Sequence, residues 1–142
     1  MLKVVLDTNV LVSALLKPAS TPELVVSLIL QKQVIFCVSG PIFTEYEEVL
    51  RREKFKSLDL EKVESFLSRL KDKAWWVAPR IHLNIIETDQ EDNRFLECAQ
   101  EAKADFLITG NTKHFPFRKF RKTMIVSPAE FMAMIAKKLP IF

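Results

Sequence analysis

Glycine is the scarcest punctuation in this chain: Gly40 and Gly110 are the only two in 142 residues. They stand too far apart for a GxGxxG dinucleotide loop or a Walker loop, which excludes nucleotide binding through a glycine-rich cradle. GxSxG and HExxH are missing too, so the hydrolases and kinases that announce themselves by such motifs are excluded. Cysteine is equally sparse. Cys37 and Cys98 fall inside a predicted strand and a predicted helix with no CxxC pattern, which points to buried free thiols rather than a disulfide or a zinc site. No apolar run reaches the length needed to cross a bilayer. The first residues pass straight into a strand and a carboxylate, unlike a signal peptide, so a cytoplasmic protein with no membrane partner is expected.

What is present is an ordinary globular balance, 49% hydrophobic and 27% charged, with a net charge of +3. No repeat or linker divides it, so residues 1–142 read as a single domain, of a size that buries roughly 68 to 70% of its unfolded surface. The organising stretch is KVVLDTNVLVS, from Lys3 to Ser13. Val4, Val5 and Leu6 form an apolar run without alternation, as in a strand buried on both faces of a parallel sheet. Asp7 stops that run. Thr8 and Asn9 are good helix N-caps, and Val10, Leu11, Ala14 and Leu15 recur at helical spacing, so Asp7 sits where a buried strand hands over to a helix. Such junctions carry sites in open parallel sheets, although an Asp there also serves as a plain turn or cap residue.

Strand and helix signals then alternate. Thr21-Pro22 opens a helix with Thr21 as cap; Val34 to Val38 is a second buried strand; a helix follows from Pro41 to about Arg52. Ile42, Glu45 and Val49 share a stripe on it, with Tyr46 and Leu50 on the flank, so Glu45 takes a position where an apolar residue is expected. Leu60 to Leu70 predicts a helix and Trp75 to Val77 a short strand, and 80–86 fits either loop or strand. His82 there has no partner at ligand spacing and reads as a surface or packing residue. Thr88 and Glu91 form a capping box before the stripe Phe95, Leu96, Ala99 and Ala102, and Asp92 points along that stripe. Asp105 reads as a turn residue before a strand from Phe106 to Thr109. That strand leaves through Gly110, which permits positive φ, and Asn111 lands at the same edge as Asp7. A last strand, Met124 to Val126, and a helix opened by Ser127-Pro128 close the chain.

About five such strands joined by helices predict an α/β/α sandwich around a mostly parallel sheet. Asp7, Glu45 and Asp92 then converge at one edge. Clustered carboxylates repel, and the usual resolution is a hard divalent cation, Mg²⁺ or Mn²⁺, which lowers the pKa of bound water and steadies a phosphoryl group. Chemistry on a phosphodiester follows. KHFPFRKFRK, from Lys113 to Lys122, carries five Lys or Arg residues and no acid. Lys113, Arg118, Lys119, Arg121 and Lys122 can hold a polyanion, while Phe115, Phe117 and Phe120 pack inward.

VVLDTNVLVSALL, the Glu45 helix, EDNRFLECA and ADFLITGNTKHF together resemble a PIN domain, over almost the whole chain, and most resemble the VapC-like branch of toxins from prokaryotic toxin–antitoxin pairs. The resemblance implies a metal-dependent ribonuclease, often dimeric, held inactive by a cognate antitoxin, that leaves a 5′-phosphate and a 3′-hydroxyl. By position, Asp7, Glu45 and Asp92 match its acidic metal ligands and catalytic residues. Thr8, Asn9, Ser13, Thr109 and His114 match positions that commonly line the site, where capping and turn hydrogen bonds explain them equally well. Asn111 departs from the pattern, because many PIN domains carry an Asp there. An amide removes a charge and leaves a weaker second-metal position. The rival reading is an RNA-binding or complex-forming module with this fold and little or no catalysis.

Overall fold

The computed structural model describes residues 1–52, 59–84 and 92–138. In chain order the elements are β1 (Lys3–Leu6), α1 (Thr8–Leu16), α2 (Thr21–Leu30), β2 (Ile35–Val38), α3 (Gly40–Leu50), α4 (Leu60–Lys73), β3 (Ala74–Trp76), α5 (Asp92–Ala102), β4 (Phe106–Ile108), a 3₁₀ turn (Thr112–His114), β5 (Lys119–Phe120), β6 (Thr123–Val126) and α6 (Pro128–Lys138). The capping box expected at Thr88 and Glu91 lies outside the described residues.

One sheet runs in the order β3-β2-β1-β4-β6-β5, parallel throughout except for β5, which pairs antiparallel with β6. The expected α/β sandwich is present, with a sixth strand inside the segment read as a basic loop. β1 is the centre of the sheet. Val4, Val5 and Leu6 are wholly buried between β2 and β4, which explains why their run shows no alternation. From β1 the chain moves outward through β2 to β3, then returns across the sheet through α5 to β4. Right-handed crossovers place α5 on the face opposite the earlier helices. It packs over β1, β2 and β4, while α2 joins α1, α4 and α6.

Side-chain caps set the starts of α2, α3 and α6. Ser20, not Thr21, caps α2 by accepting the Glu23 N–H, and Pro22 falls within the first turn. Ser39 caps α3 through the Ile42 N–H, so that helix begins one residue before Pro41. Ser127 and Glu130 exchange bonds at the start of α6. Phe115 is buried, and Phe117 and Phe120 stack on each other with centroids 5.4 Å apart against the core, as the inward-packing reading required. Cys37 and Cys98 are both free and buried.

Candidate active site

β1 sends its chain one way and β4 lies on its other side, so their carboxyl ends flank the point where the winding of the sheet reverses. Asp7 follows β1 there and Thr109 follows β4. The Asp7 N–H donates to the Ile108 carbonyl at 2.9 Å, extending the ladder and aiming the carboxylate across the crevice. Thr109 Oγ1 donates to Asp7 Oδ2 at 2.7 Å, and Asn9 Nδ2 donates to the same oxygen at 3.4 Å. Asp7 is 7% exposed, and burial pushes its carboxyl above the usual carboxylate range. The Thr109 hydroxyl, the amides of Thr8 and Asn9 and the field of His114 oppose that rise without cancelling it. Asp7, rather than Thr8 or Asn9, occupies the N-cap position of α1.

Glu45 reaches the same edge from α3. The buried face of that helix is Ile42, Phe43, Tyr46 and Leu50, so Glu45 stands at its margin and not in the middle of an apolar stripe. Its carboxylate accepts a hydrogen bond from the hydroxyl of Thr8, at the first turn of α1. Tyr46 donates to the Leu6 carbonyl at 2.5 Å, tying α3 to the end of β1. The Tyr46 hydroxyl is driven far up by burial, and the fields of both Asp7 and Glu45 add to that.

Asp92 begins α5 and is 6% exposed. His114 Nδ1 lies 3.8 Å from its Oδ2, while His114 Nε2 lies 2.8 Å from the side-chain nitrogen of Asn111. The His114 ring thus bridges the Asn111 turn and Asp92. Asn111 itself is held by its N–H, which donates to Thr109 Oγ1 at 3.1 Å. Gly110 does not use positive φ. It serves a close approach: a Cβ there would lie 3.2 Å from Asn9 Oδ1, the oxygen that accepts the Gly110 N–H at 2.9 Å, so Asn9 would have to give way by a few tenths of an ångström.

The chain matches the PIN domain family over residues 3–113. It belongs to the PIN-domain family. It is 28% identical over 146 aligned positions to an uncharacterised protein, MJ1680, of Methanocaldococcus jannaschii, covering 96% of this chain and 93% of that one. PIN domains are generally nucleases that act on RNA, typically with divalent metals, which sets the broad class of chemistry for this site. No single helix among the described residues is long and apolar enough to cross a membrane.

For such a cation the donors of this PIN domain are right in kind: carboxylates, a carboxamide and hydroxyls, hard oxygens that suit Mg²⁺ or Mn²⁺ rather than zinc. Among the described residues, no three His, Cys, Asp or Glu side chains stand close enough to hold one ion together. Asp7, Glu45 and Asp92 thus share the carboxyl edge of the sheet without being gathered around a single ion position, short of the convergence that the sequence leads one to expect.

The remaining predicted residues separate into two groups. Lys113 and His114 lie in the 3₁₀ turn that leaves β4 on the Asp7 side, and Ser13 lies one turn along α1 from Asn9. Arg118 is committed elsewhere: its Nη2 donates to both Glu130 oxygens at 2.7 and 2.8 Å, and its Nε to the Ile125 carbonyl. Lys119 is exposed on β5, opposite Met124. Because β5 runs antiparallel, it carries Arg121 and Lys122 to the amino edge of the sheet, away from Asp7. There Lys122 Nζ lies 3.8 Å from Asp105, whose carboxylate also accepts the Lys3 N–H, so Asp105 ties two strands together rather than merely turning the chain.

Thr8, which the resemblance put at the site, acts as the partner of Glu45. Two further buried polar residues near or behind the acids escape sequence reasoning, and one of them, Asn93, is wholly buried beside Asp92. Glu97, 4% exposed, accepts the Leu83 N–H at 2.7 Å and pairs with Arg94 at 3.0 Å, with the exposed His82 4.0 Å away. The only sequence signal of Asn93 and Glu97 is a polar residue at helical spacing from the stripe of α5.

Proposed function

We propose that this PIN domain, working as one unit over residues 1–142, is an Mg²⁺- or Mn²⁺-dependent endoribonuclease that hydrolyses single-stranded RNA. The observation that carries the reading is Asp7: a desolvated carboxylate at the reversal point of the sheet, oriented by the Thr109 hydroxyl and met only by neutral donors and a histidine. A group in that state favours a cation. Asp7 would hold the cation, Glu45 and Asp92 would join it directly or through bound water, and Asn111 would be a weaker carbonyl donor. The bound cation supplies charge stabilisation at the phosphoryl oxygens and acidifies water.

The protein's own groups do the rest. Thr109 and Asn9 hold the Asp7 carboxylate in one orientation, and Thr8 holds that of Glu45. His114 keeps the Asn111 turn against Asp92. Lys113 takes RNA phosphates, with Lys119 exposed on the outer strand β5. Water oxygen bonds to phosphorus as the P–O3′ bond breaks, and the proton ends on O3′, giving a 5′-phosphate and a 3′-hydroxyl. Incubating end-labelled single-stranded RNA with the protein and Mn²⁺ tests this: cleavage stopped by EDTA supports it, and intact RNA at every metal concentration overturns it.

The biological role within this reading is a cytoplasmic toxin, dimeric and restrained by a cognate antitoxin. Growth arrest on expression, relieved by the product of the neighbouring upstream gene, tests it. A second reading, an RNA-binding module without turnover, draws on Asn111 in place of an acid. RNA binding that persists in EDTA with no cleavage in Mn²⁺ favours that module.

A further inference from the structure

Beside Glu45, between α3 and the start of α5, lies a pocket of about 200 Å³ lined by Thr44, Glu45, Glu48, Arg52, Arg94 and Phe95. Its floor is apolar, since Ile42 and Phe95 are each 1% exposed, and Thr44, Glu48, Arg52 and Arg94 form an exposed rim. The neighbouring Arg51 is engaged by Glu64 and Glu47 and does not line it. Two carboxylates balance two guanidinium groups, so the pocket has no net attraction for an anion, and a phosphate placed in it would face Glu45 and Glu48. Thr8 already bonds Glu45 and Glu97 already pairs with Arg94, which leaves Glu48 and Arg52 as the rim groups that a ligand can engage, and an aliphatic ligand would engage neither. A flat, neutral ring with both donors and acceptors on its edge satisfies the rim and covers the floor. The volume is below the roughly 300–1,000 Å³ of clefts for drug-sized ligands, which leaves room for a base and not for a whole nucleotide.

Resting on the RNA reading above, we propose that this pocket receives a guanine base of the strand next to the phosphodiester held at Asp7. Single-stranded RNA is read through splayed bases whose Watson–Crick edges meet side chains and whose faces stack on planes such as guanidinium groups. Among the four bases only guanine presents two adjacent N–H donors on that edge, N1–H and the N2 amino group, which match the two oxygens of the Glu48 carboxylate. Its O6 then accepts from Arg52. Adenine and cytosine set one donor beside a ring lone pair, and uracil sets N3–H between two carbonyls, so each points a lone pair at the carboxylate. Glu45 remains bound to Thr8 and serves the reacting side, which places the read base beside the site of cleavage.

The test separates base reading from turnover by measuring binding in EDTA. Fluorescence anisotropy compares uridine hexamers with hexamers carrying one guanine, adenine or cytosine. The guanine-bearing hexamer is expected to bind about tenfold tighter than oligouridine, the scale of one good bidentate contact. Glu48→Gln, at an exposed position, collapses that ratio toward one, as does Arg52→Ala. Arg94→Ala is the less clean variant, because it also removes a donor from the buried Glu97. Equal affinity for all four hexamers, a preference for another base, or a guanine preference unchanged by Glu48→Gln overturns the assignment. Adding Mn²⁺ to the same samples keeps the two readings distinct: guanine preference without cleavage sinks the nuclease and leaves the pocket, while cleavage without base preference does the reverse.

Discussion

The two edges of the central sheet handle charge in opposite ways. At the amino edge Asp105 is neutralised locally, with Lys122 at 3.8 Å and the Lys3 amide at 2.9 Å, and the Lys3 ammonium lies 4.4 Å from the Trp75 ring and donates to the Ala102 carbonyl. At the carboxyl edge Asp7 and Glu45 receive hydroxyls and an amide from Thr109, Thr8 and Asn9. Neutral donors fix where a carboxylate points but leave its charge in place. The first arrangement closes the fold. The second keeps oriented negative charge in a desolvated crevice, which is what binding a cation requires and what stability alone would select against.

The strongest way to break this contrast is Asp7→Asn. Cleavage is expected to disappear and the gain in melting temperature on adding Mn²⁺ to vanish, whereas metal-free stability should hold or rise by something on the order of 1 kcal/mol. The sign follows from linkage. The folded-state pKa of Asp7 lies above its unfolded value, so its protonated form stabilises the fold at low pH. That contribution is lost as pH rises through the folded pKa, and wild type without metal should therefore lose stability over that window while Asp7→Asn does not. Denaturant titrations at several pH values check it. A variant that melts lower than wild type in EDTA and still responds fully to metal would show that Asp7 is structural, like Asp105.

Thr109→Val comes next. It keeps the shape of a wholly buried residue while removing the donor to Asp7 and the acceptor for Asn111. Activity should fall about 10- to 100-fold, the usual cost of losing a group that orients a ligand. Stability should fall by roughly 1–3 kcal/mol, because buried partners lose their bonds. Parallel kinetics and melting curves would read both. Unchanged turnover would mean that the hydroxyl does not aim the carboxylate.

Asn111→Asp sharpens the contrast from the other direction by adding a charge at the carboxyl edge. Calorimetry should find Mn²⁺ binding several-fold tighter, since affinity at hard-oxygen sites rises with ligand charge. Equal or weaker binding would remove Asn111 from the cation's reach. The smallest effect compares two lysines. Lys113→Ala should lower the slope of log affinity against log salt by about one, and Lys122→Ala, at the opposite edge, should leave it unchanged. Equal changes in the two would restore the whole basic segment as one phosphate track.

The sequence was most readable where one residue contradicted its surroundings. A carboxylate ending the run Val4 to Leu6 marked both the central strand and the crevice, because parallel strands buried on both faces tolerate no such residue midway. Glu45 was correctly placed on its helix but wrongly on its stripe. The cap at Ser39 sets the start of α3, and the buried face turns out to run through Phe43. The resemblance put Thr109 and Thr8 at the site, but which carboxylate each bonds left no readable trace, since a threonine can satisfy itself in almost any turn. The strand β5 escaped because two residues show no periodicity, and Arg118 found Glu130 only through the fold. Gly110 was noticed for its freedom and used for its smallness.

The bond from Thr109 to Asp7 joins residues 102 positions apart, as does the bond from Lys3 to Asp105. On a ribosome adding about 5–20 residues per second, the first strand therefore waits roughly 5–20 s for β4 to be synthesised beside it. Until then the central strand has one open side, and the carboxylate that the site depends on has no partner across the crevice. The site is thus among the last parts of this molecule to exist. A chain broken off before residue 106 would carry Asp7, Glu45 and Asp92 without the strand that holds Asp7 in position.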